Sequence, residues 1–253
     1  MKRVSLLTAA LAVCALAIDI PRIGFARDAQ GRVVAVNGIA GNFVSGEPGA
    51  YTEALAWNGS YGIRKTQSTL DWLDESGAMV ATFNAPKGAV VIGFGSGQAV
   101  WIFSKSERTL CQLKSTQWSL QQVPVALSPD EEVLAVSGGR DSVSLAVSRS
   151  AGLFVVAFDL ITGARTAEVA SPRTASQLLF LADGALAGAS GSLLWITRAD
   201  GSMWSVDTGV TLTGLSWMGR DWVQISADDR QFAVRLGRTM PEAYVLPQAE
   251  VVE

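Results

Sequence analysis

Short apolar runs separated by turn residues return along this chain in groups of three or four, and that rhythm restricts its fold more than any other feature. Residues 51–86 read "ALAWNG", "YGIRKTQ", "TLDWLDESG" and "MVATFN", and residues 88–124 repeat the pattern as "AVVIGFG", "QAVWIFSK", "TLCQLK" and "WSLQQVP". Runs rich in Val, Ile, Leu, Phe and Trp, punctuated by Gly, Asp, Ser, Asn and Pro, are strands and turns. No window after the N-terminal segment carries apolar residues at i, i+3, i+4 and i+7 between caps, so helices are not expected.

The first strands of successive groups fall near residues 54, 89, 125, 176 and 213, a spacing of roughly 35–50 residues, which is the period of propeller blades. A smaller group, "RIGFARD", "RVVAVNG" and "NFVSGE", precedes these five. It makes a sixth blade or shares strands with the last one. The expectation is therefore an all-β propeller of six blades, with five or seven as alternatives, in a single domain over residues 18–253. A β-sandwich has too few strands for more than twenty runs. A membrane barrel needs strands of about ten residues alternating apolar and polar, whereas "LFVVAF" and "AVVIGF" are apolar on successive residues, as suits sheets covered on both faces.

One stretch shows the unit best. "VALSPDEEVLAVSGG", Val125 to Gly139, reads as a strand closed by a Ser-Pro-Asp turn and a returning strand, and "FDLITGART" as a hairpin with Gly163 in its turn. Together they resemble the WD40-like and YVTN-type bacterial propeller repeats, in which an SPDG turn precedes an apolar strand and a D-x-x-TG hairpin closes the blade. Glu131 stands where that pattern has glycine, and the Gly-His and Trp-Asp pairs of blade ends are missing. The resemblance implies the fold and leaves the function open.

The first residues, "MKRVSLLTAALAVCALA", join a basic start at Lys2 and Arg3 to an uncharged apolar run and an A-x-A pattern at Ala15–Ala17. They read as a signal-peptide helix over residues 1–17, cut before Ile18. The run from Val4 to Ala17 is shorter than the roughly 20 residues that span a bilayer. Val13 stands where the lipoprotein pattern wants Gly, Ala or Ser, which argues against lipidation of Cys14. The expected location is periplasmic or extracellular, with no integral membrane span after cleavage.

Several chemistries are excluded by residue type. The chain of 253 residues contains no histidine, so Ser-His-Asp and Cys-His catalysis and histidine-ligated zinc are unavailable. The formal charge is −3 with no run of Lys or Arg, so a nucleic-acid partner is not expected. Cleavage removes Lys2 and Arg3, and Cys111 then has no partner for a disulfide. No calcium-loop spacing is present, and "GFGSGQ" joins two strands instead of opening a helix, which makes it a hairpin turn. No metal or cofactor is expected.

Carboxylates are the acid–base groups left. The dense sites are Asp71 with Asp74, Glu131 with Glu132, and Asp228 with Asp229, each at or beside a turn; a glycosidase-like hydrolase would need two that converge near the central channel. The eight tryptophans, Trp57, Trp72, Trp101, Trp118, Trp195, Trp204, Trp217 and Trp222, all fall inside expected strands and suit packing between blades better than sugar stacking. The group from residue 125 is long because Arg140 to Gly152, "RDSVSLAVSRSAG", is extra, either as an ordinary long hairpin or as a binding loop. Arg140, Asp141 and Arg149 are its candidate contact residues. The function read from these features is an exported, non-enzymatic binding module for a protein or an envelope glycan; the alternatives are a carboxylate-dependent hydrolase and an envelope assembly factor.

Overall fold

The computed structural model describes residues 20–114, 119–181, 184–198, 200–228, 230–237 and 240–247. Residues 1–17, Trp118 and Asp229 lie outside them.

The protein is an all-β, six-blade propeller. The first sheet has three strands, β1 (Arg22–Arg27), β2 (Val33–Ile39) and β3 (Asn42–Ser45). Four-stranded meanders follow: β4 (Ala54–Trp57), β5 (Gly62–Lys65), β6 (Thr69–Leu73) and β7 (Met79–Asn84); then β8 (Val90–Phe94), β9 (Ala99–Ser104), β10 (Thr109–Lys114) and β11 (Ser119–Val123). The fourth sheet is β12 (Glu132–Gly138), β13 (Ser142–Arg149), β14 (Gly152–Asp159) and β15 (Arg165–Ala170). The fifth is β16 (Gln177–Phe180), β17 (Leu186–Ser190), β18 (Leu193–Thr197) and β19 (Met203–Asp207). The last is β20 (Leu212–Gly219), β21 (Trp222–Ala227), β22 (Gln231–Arg235) and β23 (Glu242–Val245). Every ladder is antiparallel, and each group read from the sequence is one sheet.

One local expectation changes and one alternative is decided. Residues 124–128 form no strand; the fourth blade opens at β12 instead, after the Ser-Pro-Asp turn, because Pro124 and Pro129 withhold ladder donors at both ends of that stretch. The extra residues after Arg140 are the long strand β13, paired on both sides by β12 and β14, so the long-hairpin reading holds and no added loop is present.

An even number of strands returns the chain to the face it left. Successive four-stranded blades therefore start their inner strands from the same face, and the parallel bridge between Gly95 and Gly138, after β8 and at the end of β12, shows two of them running alike. The first blade, with three strands, breaks this rule. Its β1 ends at Arg27, whose side chain bonds the carbonyl of Glu53 just before β4 begins, while its start at Ile23 and Gly24 packs on Met218 and Gly219 at the end of β20. β1 therefore runs opposite to the inner strands beside it. Those strands, β4, β8, β12, β16 and β20, touch in cyclic order, with β20 returning to β4, and the first blade is wedged over that junction.

The core is a set of layers between neighbouring blades. Trp101, Phe103 and Leu110 of the third blade pack on Val133, Val143, Leu145 and Phe158 of the fourth, and Phe25 of the first meets Leu55, Trp57 and Leu73 of the second. Trp57, Trp72, Trp101, Trp195 and Trp217 are buried in such layers. Each ring removes on the order of 150–250 Å² from water, so these residues contribute heavily to blade stacking.

Candidate functional site

The inner strands enclose a cavity of about 280 Å³ at the face where they begin. Its walls are the starts of β4, β8, β12 and β16 and most of β20, where the half-buried Val91, Leu134 and Leu215 come together. These strands have period-2 side chains and sit where no fifth strand pairs them, so both apolar side chains and strand edges face the space. Three charged side chains line it, Arg27, Glu53 and Lys105.

Their partners decide what the cavity can do. Glu53 is bonded by the ammonium of Lys65, a lysine that is 1% exposed and also donates to the Thr66 carbonyl at 3.1 Å. Lys105 donates to Glu132 at 2.9 Å near the surface. Among the described residues, Arg27 reaches the Glu53 main-chain carbonyl alone, and its own peptide group is held by Gln224, whose Oε1 accepts from the Arg27 amide at 2.9 Å and whose Nε2 donates to the Arg27 carbonyl at 2.6 Å. Gln224 is itself 2% exposed and fixed by a 2.7 Å bond to Gln231.

Among the described residues lining the cavity, Glu53 is the one carboxylate. The acids singled out by sequence lie elsewhere. Asp71 is buried in the second blade, where Oδ2 accepts from Arg64 at 2.7 and 3.0 Å and Oδ1 from Thr82 at 3.0 Å. Asp74 turns the β6–β7 hairpin by accepting from the amides of Ser76 and Ala78 and from the Ser76 hydroxyl, and these bonds, the hydroxyl first, hold its carboxyl below the ordinary range. Glu132 pairs with Lys105, and Asp228 lines a second cavity between the first and last blades.

Glu131 has a different role. Its carboxylate accepts from the Ser128 amide at 2.9 Å and from Arg165 Nη2 at 2.8 and 2.9 Å, with Arg149 3.8 Å away. Arg108, from the third blade, ties down the carbonyls of Glu131 and Ser128. Burial works against the charge, yet the Ser128 amide and Arg165 outweigh it and hold the carboxyl below its usual range. A residue that departs from the SPDG pattern thus anchors the turn between the third and fourth blades. Sequence reasoning marked Glu131 as a departure but had no means of seeing Arg165, 34 positions away.

The three expected contact residues separate. Arg140 and Asp141 form the exposed β12–β13 turn, where the Asp141 carbonyl accepts from the Leu160 amide at 3.1 Å. Arg149 closes β13 at its other end, roughly 23 Å away at the rise of a strand. There its guanidinium lies 3.8 Å from the centre of the Phe154 ring and bonds Glu168. Arg140 and Asp141 share a surface, and Arg149 belongs to the Glu131 network. Cys111 is half-buried in β10, and burial with the nearby Glu107 charge pushes its thiol up, against nucleophilic use.

Among the described residues no group of three or more potential ligands is placed to hold a metal ion, and no helix is long and apolar enough to cross a membrane.

No protein-family model matches this sequence, and no curated protein matches it. Solved structures do. The chain is similar to a streptogramin B lyase with a TM-score of 0.50 and 14% identity, over 92% of this chain and 86% of that one. It is similar to virginiamycin B lyase from Staphylococcus aureus with a TM-score of 0.50 and 11% identity, over 91% and 86%. It also resembles PorZ, an essential bacterial surface component of the type-IX secretion system of Porphyromonas gingivalis, with a TM-score of 0.50 and 10% identity, over 91% of this chain and 39% of that protein. At these identities the likeness is one of fold.

Proposed function

We propose that this propeller is an exported, non-enzymatic binding module that presents its turns to a protein or an envelope glycan. The observation that carries the reading is the state of the acids. Hydrolysis by paired carboxylates needs two of them flanking the scissile bond, about 5–10 Å apart, and the channel holds Glu53 with its charge already balanced by Lys65. Asp71 and Glu131 are consumed by structural arginines. With no histidine in the chain, the groups left on the surface are suited to recognition. The Arg140–Asp141 turn is the contact surface this reading favours, because it is exposed and its side chains have no hydrogen-bond or ion-pair partner among the described residues.

Export rests on residues 1–17, and it is tested together with binding. The tagged full chain is produced in the source cell, its mature N-terminus sequenced, and the partners retained from the envelope fraction identified. A start at Ile18 and a stoichiometric partner or glycan lost on Arg140→Ala support the reading. An intact N-terminus overturns the export part, and a partner unaffected by Arg140→Ala overturns the assignment of this turn.

A further inference from the structure

We propose that the channel cavity is a binding site for a small amphipathic anion, with Arg27 as the anchor for its charged head. This site is separate from the partner surface, and it rests on a charge that has no counter-ion among the described residues. Of the cations at this end of the channel, Lys65 is matched by Glu53 and Lys105 by Glu132. Arg27 is half-buried and lines the cavity, and its guanidinium bonds one carbonyl oxygen. A guanidinium presents five donors in a fixed plane, so Nε and Nη2 remain for an acceptor in the cavity, among the described residues.

The anchor is also held in advance. The Glu53 carbonyl fixes one nitrogen, and Gln224 clamps the Arg27 peptide on both sides. Such fixing lowers the ordering cost of binding, and two parallel N–H donors suit a carboxylate oxygen pair. The remainder of the cavity selects the body of the ligand. Val91, Leu134 and Leu215, each half-buried, give apolar surface, while the inner-strand edges and Gln177, Ser216 and Ser226 supply polar atoms. A space of about 280 Å³ sits at the small end of ligand pockets, so the ligand is a short-chain carboxylate or a compound of that size.

Calorimetric titration of the full mature chain with octanoate, octan-1-ol and acetate separates head, body and their combination. The expected result is octanoate binding at least about tenfold tighter than either control, with added salt weakening octanoate and leaving octanol unchanged. Arg27→Gln removes the octanoate advantage by about tenfold or more. Because Arg27 also bonds Glu53, Leu134→Trp provides a second variant that fills the cavity and leaves Arg27 in place; it too abolishes octanoate binding, with the melting temperature of both variants followed in parallel. Equal affinity for octanoate and octanol, no binding of octanoate, or octanoate binding unchanged in a folded Arg27→Gln protein overturns the proposal. None of these outcomes bears on the envelope partner, which is read by the pull-down.

Discussion

Gln224 of β21 closes both ends of its side-chain amide on the main chain of Arg27 in β1, accepting from the Arg27 amide at 2.9 Å and donating to its carbonyl at 2.6 Å. A glutamine side chain thereby does what a neighbouring strand does elsewhere in the molecule. The need arises because β1 runs opposite to the inner strands beside it and, among the described residues, has no ladder partner on that edge. The first and last blades are joined in this way, along with Leu246, which packs between them among Ala26, Val34, Val36 and Ala233.

Gln224→Leu keeps the bulk and removes both bonds, leaving a buried amide and carbonyl unsatisfied at about 1–3 kcal/mol each. A loss of about 2–4 kcal/mol in urea unfolding is expected. A loss under about 0.5 kcal/mol would mean that the seam is held by apolar packing alone.

Gly188 lies directly opposite Trp195 across the β17–β18 ladder, and a Cβ added there would stand 2.2 Å from the ring. Gly188→Ala forces the indole off its place in a layer where it is 1% exposed. The expected cost is about 1–3 kcal/mol. Gly191→Ala, where a Cβ meets nothing within 4 Å, bears only the strain of a left-handed backbone at φ +60° and is the control. Thermal unfolding of the two variants ranks them.

Glu131→Gln removes the charge that Arg165 and Arg149 face and preserves the shape. Breaking one side of a buried pair costs about 3–5 kcal/mol, and the partial exposure of Arg165 at 28% puts the expectation at the low end. Because the Glu131 carboxyl is held below its ordinary range in the folded protein, its contribution is present above the unfolded pKa, near 4.5, and is lost as pH falls through the folded value. The stability of the natural protein should drop more steeply in acid than that of Glu131→Gln. Parallel unfolding curves between neutral pH and about pH 3 would contradict this.

Arg140 and Arg149 should behave oppositely although both were read from one stretch of sequence. Arg140→Ala, at an exposed turn, is expected within about 0.5 kcal/mol of the natural protein. Arg149→Ala removes a stacked guanidinium from Phe154 and a partner from Glu168, and a loss of about 1–2 kcal/mol is expected. Equal stabilities in chemical denaturation would place Arg149 outside the network.

Tyr61 stacks on Trp72 at 4.6 Å, and burial pushes its phenol up to about 12. The hydrogen bond to Glu242 also raises the Tyr244 phenol, so ultraviolet titration should show Tyr61 as the latest step, and Tyr61→Phe should remove that step. Its persistence in Tyr61→Phe would move the assignment to another tyrosine.

The sequence by itself determined most of the strands and their grouping, and favoured six sheets with five or seven left open, because those depend on short-range signals: apolar runs, glycines that adopt positive φ, and aspartates such as Asp74 and Asp159 that fold onto amides two or three residues on. It also removed histidine chemistry outright. Only the tertiary structure decided what the charged residues do. Glu131 and Arg165, Arg27 and Gln224, and Glu53 and Lys65 meet through the stacking of blades or the pairing of strands, and nothing in local spacing encodes which acid finds which cation. The tertiary structure also decided the sense of the first blade, since three strands leave the chain on the opposite face from four, and that parity places Arg27 at the channel with no carboxylate in ion-pair range among the described residues.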